Sequence, residues 1–322
     1  MARSLVLITV DCLRADHVGF LGYRSTATPF LDSLSAESFA FTNAIVAGAP
    51  TYYSFPAILA SRHPLALGRD VIGLAPGEVN LASVLREAGY ATAAFIAGNP
   101  YLSSRFGYEQ GFDRLEDFLD SGPGLNESDG PEPSRLNRRL SQACAKFRTT
   151  RWLYDELYFQ YCQRLATSVP KSLSELCRFP TADVLVDRAL GWLSSVGDRP
   201  FFLWLHFMDA HSPYYPHEQG LTAMGDRVPS PSHARYINSC WSRENIGEAR
   251  LRSYRNEIIR LYDAGIRWAD TQIGRLADAL RASERWDDCT LAVTADHGEE
   301  FLDHAGRHHA RGRIAVELRC MG

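Results

Sequence analysis

Three apolar runs in the chain each lead into residues able to bind a cation or move a proton. Leu5 to Thr9 leads to Asp11, Phe201 to Phe207 leads to Asp209 and His211, and Thr290 to Thr294 leads to Asp296 and His297. A carboxylate or imidazole stranded at the end of a buried run costs desolvation free energy unless it is paired, hydrated or metal-bound. One divalent cation would satisfy several of them together. A single Asp in such a place is as readily a helix cap. Recurrence at three run ends is what points to chemistry.

A fourth region supplies hydroxyls. Ala49 to Pro64 opens as a loop and continues as a short helix, with Thr51 and Ser54 close to its start. A hydroxyl there meets unpaired backbone N–H groups and the positive end of the helix dipole, which favour an alkoxide or an oxyanion. Both residues are nucleophile candidates. For Ser54 the expected role is the more ordinary one of N-cap.

The elements that must position these residues alternate along the chain. Besides the three runs, Thr92 to Ile96 reads as a weaker strand, and helical periodicity marks Leu81 to Ala88, Ala182 to Ser195 and Arg255 to Ala282. Strands alternating with helices imply an α/β fold, a mostly parallel central sheet with helices on both faces. Ligands of such sheets bind beyond the carboxyl ends of the strands, where the polar residues collect here. Asp120 to Ser134 reads as a surface loop, residues near 120–180 as a helical insertion, and Gly220 to Arg235 as a second excursion.

Composition excludes several classes. With 322 residues, 45% hydrophobic and 22% charged, the chain can bury one large core. A net charge of -4 offers no footprint for nucleic acid, and Arg135, Arg138, Arg139, Lys146, Arg148 and Arg151 read as a solvated helix face. No run is long and apolar enough for an integral membrane segment, and the start of the chain has no cleavage site of the signal-peptide kind. Seven scattered cysteines without a CxxC pair fit reduced thiols, so a cytoplasmic location is expected.

Taken together, Val10-Asp11-Cys12-Leu13-Arg14-Ala15-Asp16-His17 and Thr294-Ala295-Asp296-His297-Gly298-Glu299 resemble the metal-binding motifs of the sulfatase family in the alkaline-phosphatase superfamily. Further matches are Thr28-Pro29-Phe30-Leu31-Asp32, Gly107-Tyr108-Glu109-Gln110-Gly111-Phe112-Asp113, His206-Phe207-Met208-Asp209-Ala210-His211-Ser212-Pro213-Tyr214 and Tyr262-Asp263-Ala264-Gly265-Ile266. They follow the family's order from near Leu5 to about Gly306. The resemblance implies that Asp11, Asp296 and His297 hold one divalent metal ion (Zn, Mn, Ca or Mg) together with the nucleophile. It places that nucleophile at Thr51, and His211 beside the transferred group. The implied activity is metal-dependent hydrolysis of sulfate or phosphate esters of small molecules, glycans or lipids.

Departures from the family refine this expectation. Sulfatases oxidise a Cys or Ser in a Cys/Ser-x-Pro-x-Arg signature to formylglycine, whereas Thr51 cannot form that aldehyde, so no formylglycine is expected. Phe55 stands at the signature arginine, or Ile58 if the register starts at Ser54. Cys12 replaces the second aspartate of an Asp-Asp pair, and Ala97-Gly98-Asn99-Pro100 occupies the lysine-bearing loop without a lysine. Threonine is the nucleophile of phosphotransferase relatives, which makes a phosphodiester or phosphonate hydrolase, or a phosphoethanolamine-type transferase, the alternative. An inactive homologue acting as a binding module is the other. The resemblance fades after Gly306, so residues 1–306 are expected to form the sulfatase-like domain and 307–322 a divergent tail, with the family's C-terminal subdomain missing.

Overall fold

The apolar runs become neighbours in one sheet. In the computed structural model, which describes residues 3–66, 72–119, 171–243, 246–304, 306–308 and the strand Arg319–Cys320, five parallel strands lie side by side. They are β1 (Ser4–Val10), β3 (Ala91–Ile96), β4 (Arg114–Glu116), β5 (Phe201–Phe207) and β6 (Cys289–Ala295), in the order β4-β3-β5-β1-β6. Two further strands, β2 (Ala44–Ile45) and β7 (Arg319–Cys320), pair antiparallel as a separate ribbon.

The pleat sorts the buried side chains onto two faces. Val6, Ile8, Val10, Phe95, Leu203, Leu205 and Phe207 pack with residues of α1 (Pro29–Ser35), α4 (Ala182–Val196) and α7 (Glu248–Ala282). Leu7, Ala94, Ile96, Phe202 and Trp204 face α2 (Thr51–Ala60) and α3 (Leu81–Glu87) through Phe55, Leu59 and Ala82. β1 and β5, buried on both faces, read as continuous apolar runs, which is why they stand out in the sequence, whereas β6 at the sheet edge is largely half-buried. The α/β class with a parallel sheet and helices on both faces is therefore the observed architecture.

Some expectations change. The excursion expected from Gly220 to Arg235 contains helix: it holds most of α5 (Glu218–Ala223) and the start of α6 (Pro231–Ser242), with Pro231 at the first turn and the Ser230 hydroxyl capping His233 N–H. The strand β4 was not foreseen, because Arg114–Glu116 is short and charged and takes its place only by pairing with β3. Within the expected insertion, residues 171–180 carry one 3₁₀ turn, Ser174–Leu176. The loop expected from Asp120 and the basic stretch Arg135 to Arg151 lie outside the described residues. No helix among the described residues is long and apolar enough to cross a membrane.

Helix α7 braces the carboxyl ends of the strands. The Tyr262 hydroxyl donates to the Cys12 carbonyl at 2.7 Å and accepts from Arg14 N–H at 3.0 Å, fixing the turn after β1. Asp263 holds the His17 ring at 2.6 Å and accepts from the Tyr23 hydroxyl. Gly265 lets the loop after β5 approach, since a β-carbon there would lie 2.1 Å from the Asp209 carbonyl oxygen. Gly265→Ala should therefore destabilise the protein by about 1–3 kcal/mol, as overpacking does. Urea unfolding measures this, and an unchanged midpoint would mean that the loop yields without cost.

Candidate active site

Register brings the distant motifs together. Val10 pairs with Ala295 and with Phe207, so Asp11 and Asp296 leave adjacent strands side by side, and Asp11 N–H donates to the Phe207 carbonyl at 2.9 Å. Asp11 is fully buried. Its Oδ2 accepts from Asn99 Nδ2 at 3.1 Å, lies 3.3 Å from His206 Nε2, and accepts from Thr51 Oγ1 at 3.4 Å. Its Oδ1 accepts from Cys12 Sγ at 3.0 Å. Asp296 is equally buried, its Oδ1 accepting the N–H groups of His297 (2.9 Å) and Cys12 (3.3 Å). Its Oδ2 is buried without a hydrogen-bond partner.

The imidazoles are oriented by what their second nitrogens contact. His297 Nδ1 lies 2.9 Å from the Gly298 carbonyl, which can only accept, so Nδ1 carries the proton and Nε2 turns its lone pair inward. That Nε2 is 3.1 Å from Thr51 Oγ1, 3.5 Å from Asp296 Oδ2 and 3.7 Å from Asp11 Oδ1. On β5 the Asp11 carboxylate requires a proton on His206 Nε2. His206 Nδ1 then accepts from Thr9 Oγ1 at 2.9 Å, which accepts from Trp204 Nε1 at 3.0 Å.

Thr51 is the first residue of α2, with Pro50 in the cap position. Ser54 is consequently not the N-cap expected of it. It lies one turn inside the helix, and its hydroxyl donates back to the Thr51 carbonyl at 3.2 Å. The helix starts earlier because Pro50 has no N–H to satisfy and its backbone is extended.

The electrostatics are those of a cation site. Burial raises the Asp11 pKa, but His211, His206 and His297 overcome it and hold that carboxyl well below its usual range. Burial and the neighbouring charge of Asp11 push Asp296 up. Burial lowers the His297 pKa, yet Asp296 and Asp11 more than offset this and raise it. The negative potential that favours a proton on Nε2 also favours a metal ion. Among the described residues, buried Asp11, Cys12 and His297 bring ligand atoms within 4.8 Å of one another, and the unpartnered Asp296 oxygen faces the same cluster. The residues fit a divalent cation.

Asp11, Thr51, Asp296 and His297 thus converge. His211 lies in the loop after β5, its Nδ1 2.5 Å from the Ser212 carbonyl and its ring edge-on to Phe179 at 5.4 Å. Burial lowers its pKa against the opposing pull of Asp11. Asp209 does not join the cluster. It turns toward α4, where Oδ1 accepts from Ala182 N–H at 3.2 Å. Asn99 and His206, both on Asp11, were not singled out from the sequence.

A family model described as Sulfatase matches residues 3–317. The chain belongs to the sulfatase family. It is similar to an arylsulfatase of Hemicentrotus pulcherrimus, 23% identical over 325 residues that cover 94% of this chain and 49% of that protein. A multifunctional alkaline phosphatase superfamily protein of Trinickia caryophylli is 24% identical over 353 residues, 97% of this chain and 65% of its own. The chain therefore spans about half to two thirds of the length of these curated relatives. The phosphonate monoester hydrolase of Agrobacterium radiobacter shares the fold, with a TM-score of 0.60 at 18% identity over 99% of this chain and 67% of that one.

Within this sulfatase-family site, the departures seen in the sequence have structural content. Phe55, where the resemblance puts the signature arginine if Thr51 is the nucleophile, is fully buried, edge-on to Tyr108 and His206 in the core beneath α2. Where the resemblance expects the lysine loop, Asn99 caps the following turn through Tyr101 N–H and donates to Asp11.

Proposed function

We propose that this sulfatase-family chain is a metal-dependent esterase that uses Thr51 as its nucleophile and acts on phosphorus esters in preference to sulfate esters. The observation that carries the reading is the position of Thr51 Oγ1, at the first residue of α2 and within 3.1–3.4 Å of His297 Nε2 and Asp11 Oδ2. Asp11, Asp296 and His297 would hold the cation with Thr51. A divalent cation there supplies the charge that lowers a hydroxyl's pKa and draws electron density from an ester oxygen.

The chain's own residues supply the rest. The start of α2 adds positive potential at Oγ1, favouring the oxyanion that attacks phosphorus. Thr51 Oγ1 would give up its proton to solvent as the Oγ1–P bond forms and the bond from phosphorus to the leaving group breaks, the departing alkoxide taking a proton from water. Water, or an acceptor alcohol in a transferase, then attacks the phosphothreonine and restores Thr51. His211 suits that second step. Burial lowers its pKa, which favours the uncharged ring, and with Nδ1 donating to the Ser212 carbonyl its Nε2 is the nitrogen that would accept a proton.

Sulfate is disfavoured because Thr51 cannot be converted to the aldehyde through which sulfatases expel it. Phe55 and Asn99, in the places of a cationic arginine and lysine, leave less charge to balance a dianion. Monoanionic phosphodiesters and phosphonate monoesters of small molecules, glycans or lipids fit better than phosphate monoesters.

A panel of aryl sulfate, phosphate monoester, phosphodiester and phosphonate substrates, run across divalent metals, tests the reading. Trapping with a slow diester followed by peptide mass spectrometry should find phosphate on Thr51 and none on Ser54. A label on Ser54, an aldehyde in that peptide, or aryl sulfate as the best substrate would overturn it. Metal uptake with no turnover of any ester would favour a binding module instead.

A further inference from the structure

Cys12 follows Asp11 at the end of β1, where the resemblance would put a second carboxylate. Its side chain is fully buried, and its thiol lies 3.0 Å from Asp11 Oδ1. The backbone here is left-handed, with φ 62°, a conformation that a residue bearing a β-carbon adopts only when its surroundings impose it. Those surroundings are specific: Cys12 N–H donates to Asp296 Oδ1, and the Tyr262 hydroxyl donates to the Cys12 carbonyl. A cysteine that merely fills a core lies among apolar groups. This one lies among carboxylates, with its sulfur and the ligand atoms of Asp11 and His297 all within 4.8 Å of one another.

A second observation, independent of the cysteine, points to a cation at the cluster. Asp296 Oδ2 is buried, has no hydrogen-bond partner and stands 3.5 Å from His297 Nε2. A buried anionic oxygen without a partner is costly. A metal ion at the centre of the cluster would satisfy it.

We propose that Cys12 is a metal ligand, its thiolate joining Asp11, Asp296 and His297, and that this sulfur makes the site select a thiophilic divalent cation, zinc in particular, over magnesium or calcium. This rests on the metal-site reading above and not on which ester is turned over. Coordination breaks the S–H bond and forms a sulfur–metal bond, and the proton passes to the buffer. Thiolate ligands suit zinc, whereas magnesium and calcium take oxygen. Replacing the family's second aspartate by cysteine therefore changes which metal wins the site. It need not change the fold around it.

Cobalt(II) reports sulfur coordination directly. The full chain, stripped by a chelator and loaded with cobalt without oxygen, should show visible d–d bands and a near-ultraviolet sulfur-to-cobalt charge-transfer band. In Cys12→Ser and Cys12→Asp the d–d bands should remain and the charge-transfer band should vanish, although the six other cysteines of the chain are still present. In competition, the preference for zinc over calcium should fall at least about tenfold in Cys12→Asp, the lower end of what disturbing a metal site's supports costs. Bound cobalt with no charge-transfer band in the unmodified chain, or a band that survives both substitutions, overturns the sulfur ligand and leaves the metal site standing. Failure to take up cobalt or zinc at all, or uptake indifferent to Asp296→Ala, overturns the metal-site reading and this inference with it.

Discussion

Thr51→Ala should cut turnover of the best phosphorus ester by at least about 10⁴-fold, the scale of losing a nucleophile from a concerted site. Thr51 Oγ1 is the hydroxyl held against both Asp11 and His297, and alanine leaves nothing to attack phosphorus. Thr51→Ser should retain measurable turnover, because the hydroxyl persists and one methyl is lost. The alanine variant should still take up metal, more weakly, since Asp11, Asp296 and His297 remain. Steady-state kinetics and elemental analysis on the same preparations separate the two effects. Undiminished turnover in Thr51→Ala with loss of turnover in Ser54→Ala would move the nucleophile one helical turn along α2 and end the assignment.

Asp209→Asn should remove a pH-dependent loss of stability on the order of 4 kcal/mol, from about 1.36 kcal/mol per unit of pKa shift. Burial pushes the Asp209 carboxyl up to about 7, against a backbone hydrogen bond from Ala182 that works the other way. Its Oδ2 is buried with no hydrogen-bond partner. The folded pKa lies above the unfolded one, near 4. Between those values the folded chain binds a proton that the unfolded chain has released, so this group's contribution declines as pH rises from about 4 to about 7. The parent should therefore lose stability across that window more steeply than Asp209→Asn. Asparagine can still accept from Ala182 and carries no charge. Denaturant unfolding of both proteins at pH 5 and pH 8 measures the difference, and parallel pH profiles would show that the Asp209 charge is solvated in the folded state.

What could be read from the sequence was what repeats locally. Phe201 to Phe207 announces a buried strand by being apolar throughout, and Asp296 with His297 announces a site by following another such run. Asn99 and His206 were hidden for a different reason. Asn99 lies in the stretch matched to a lysine-bearing loop and drew notice for the missing lysine, while its partner Asp11 is fixed only by β3 lying next to β5 and β5 next to β1. Strand order is a property of the folded sheet and leaves no mark on a short stretch of sequence. His206 lies in an apolar run and opens one of the matched motifs, but neither reading gives it a role. The pleat alone puts it on the face of Phe202 and Trp204, but only the parallel register with β1 brings it to Asp11. Asp209 misled in the opposite sense: its place after β5 matches that of a ligand, while the approach of α4 gives it a helix terminus to hold.

The strand order also bears on how the chain comes to be made. β1 precedes the other described strands and becomes an inner strand, yet both of its neighbours, β5 and β6, are encoded some two hundred and nearly three hundred residues later. Until those arrive, Asp11 and Cys12 sit at the end of a strand with neither edge paired, and Asp296 and His297 are among the last described site residues to leave the ribosome. Closing contacts so distant in sequence is slow, and unpaired strand edges invite aggregation meanwhile. The nascent chain should thus depend on chaperones until β6 docks beside β1, and metal capture would report that these two strands have paired.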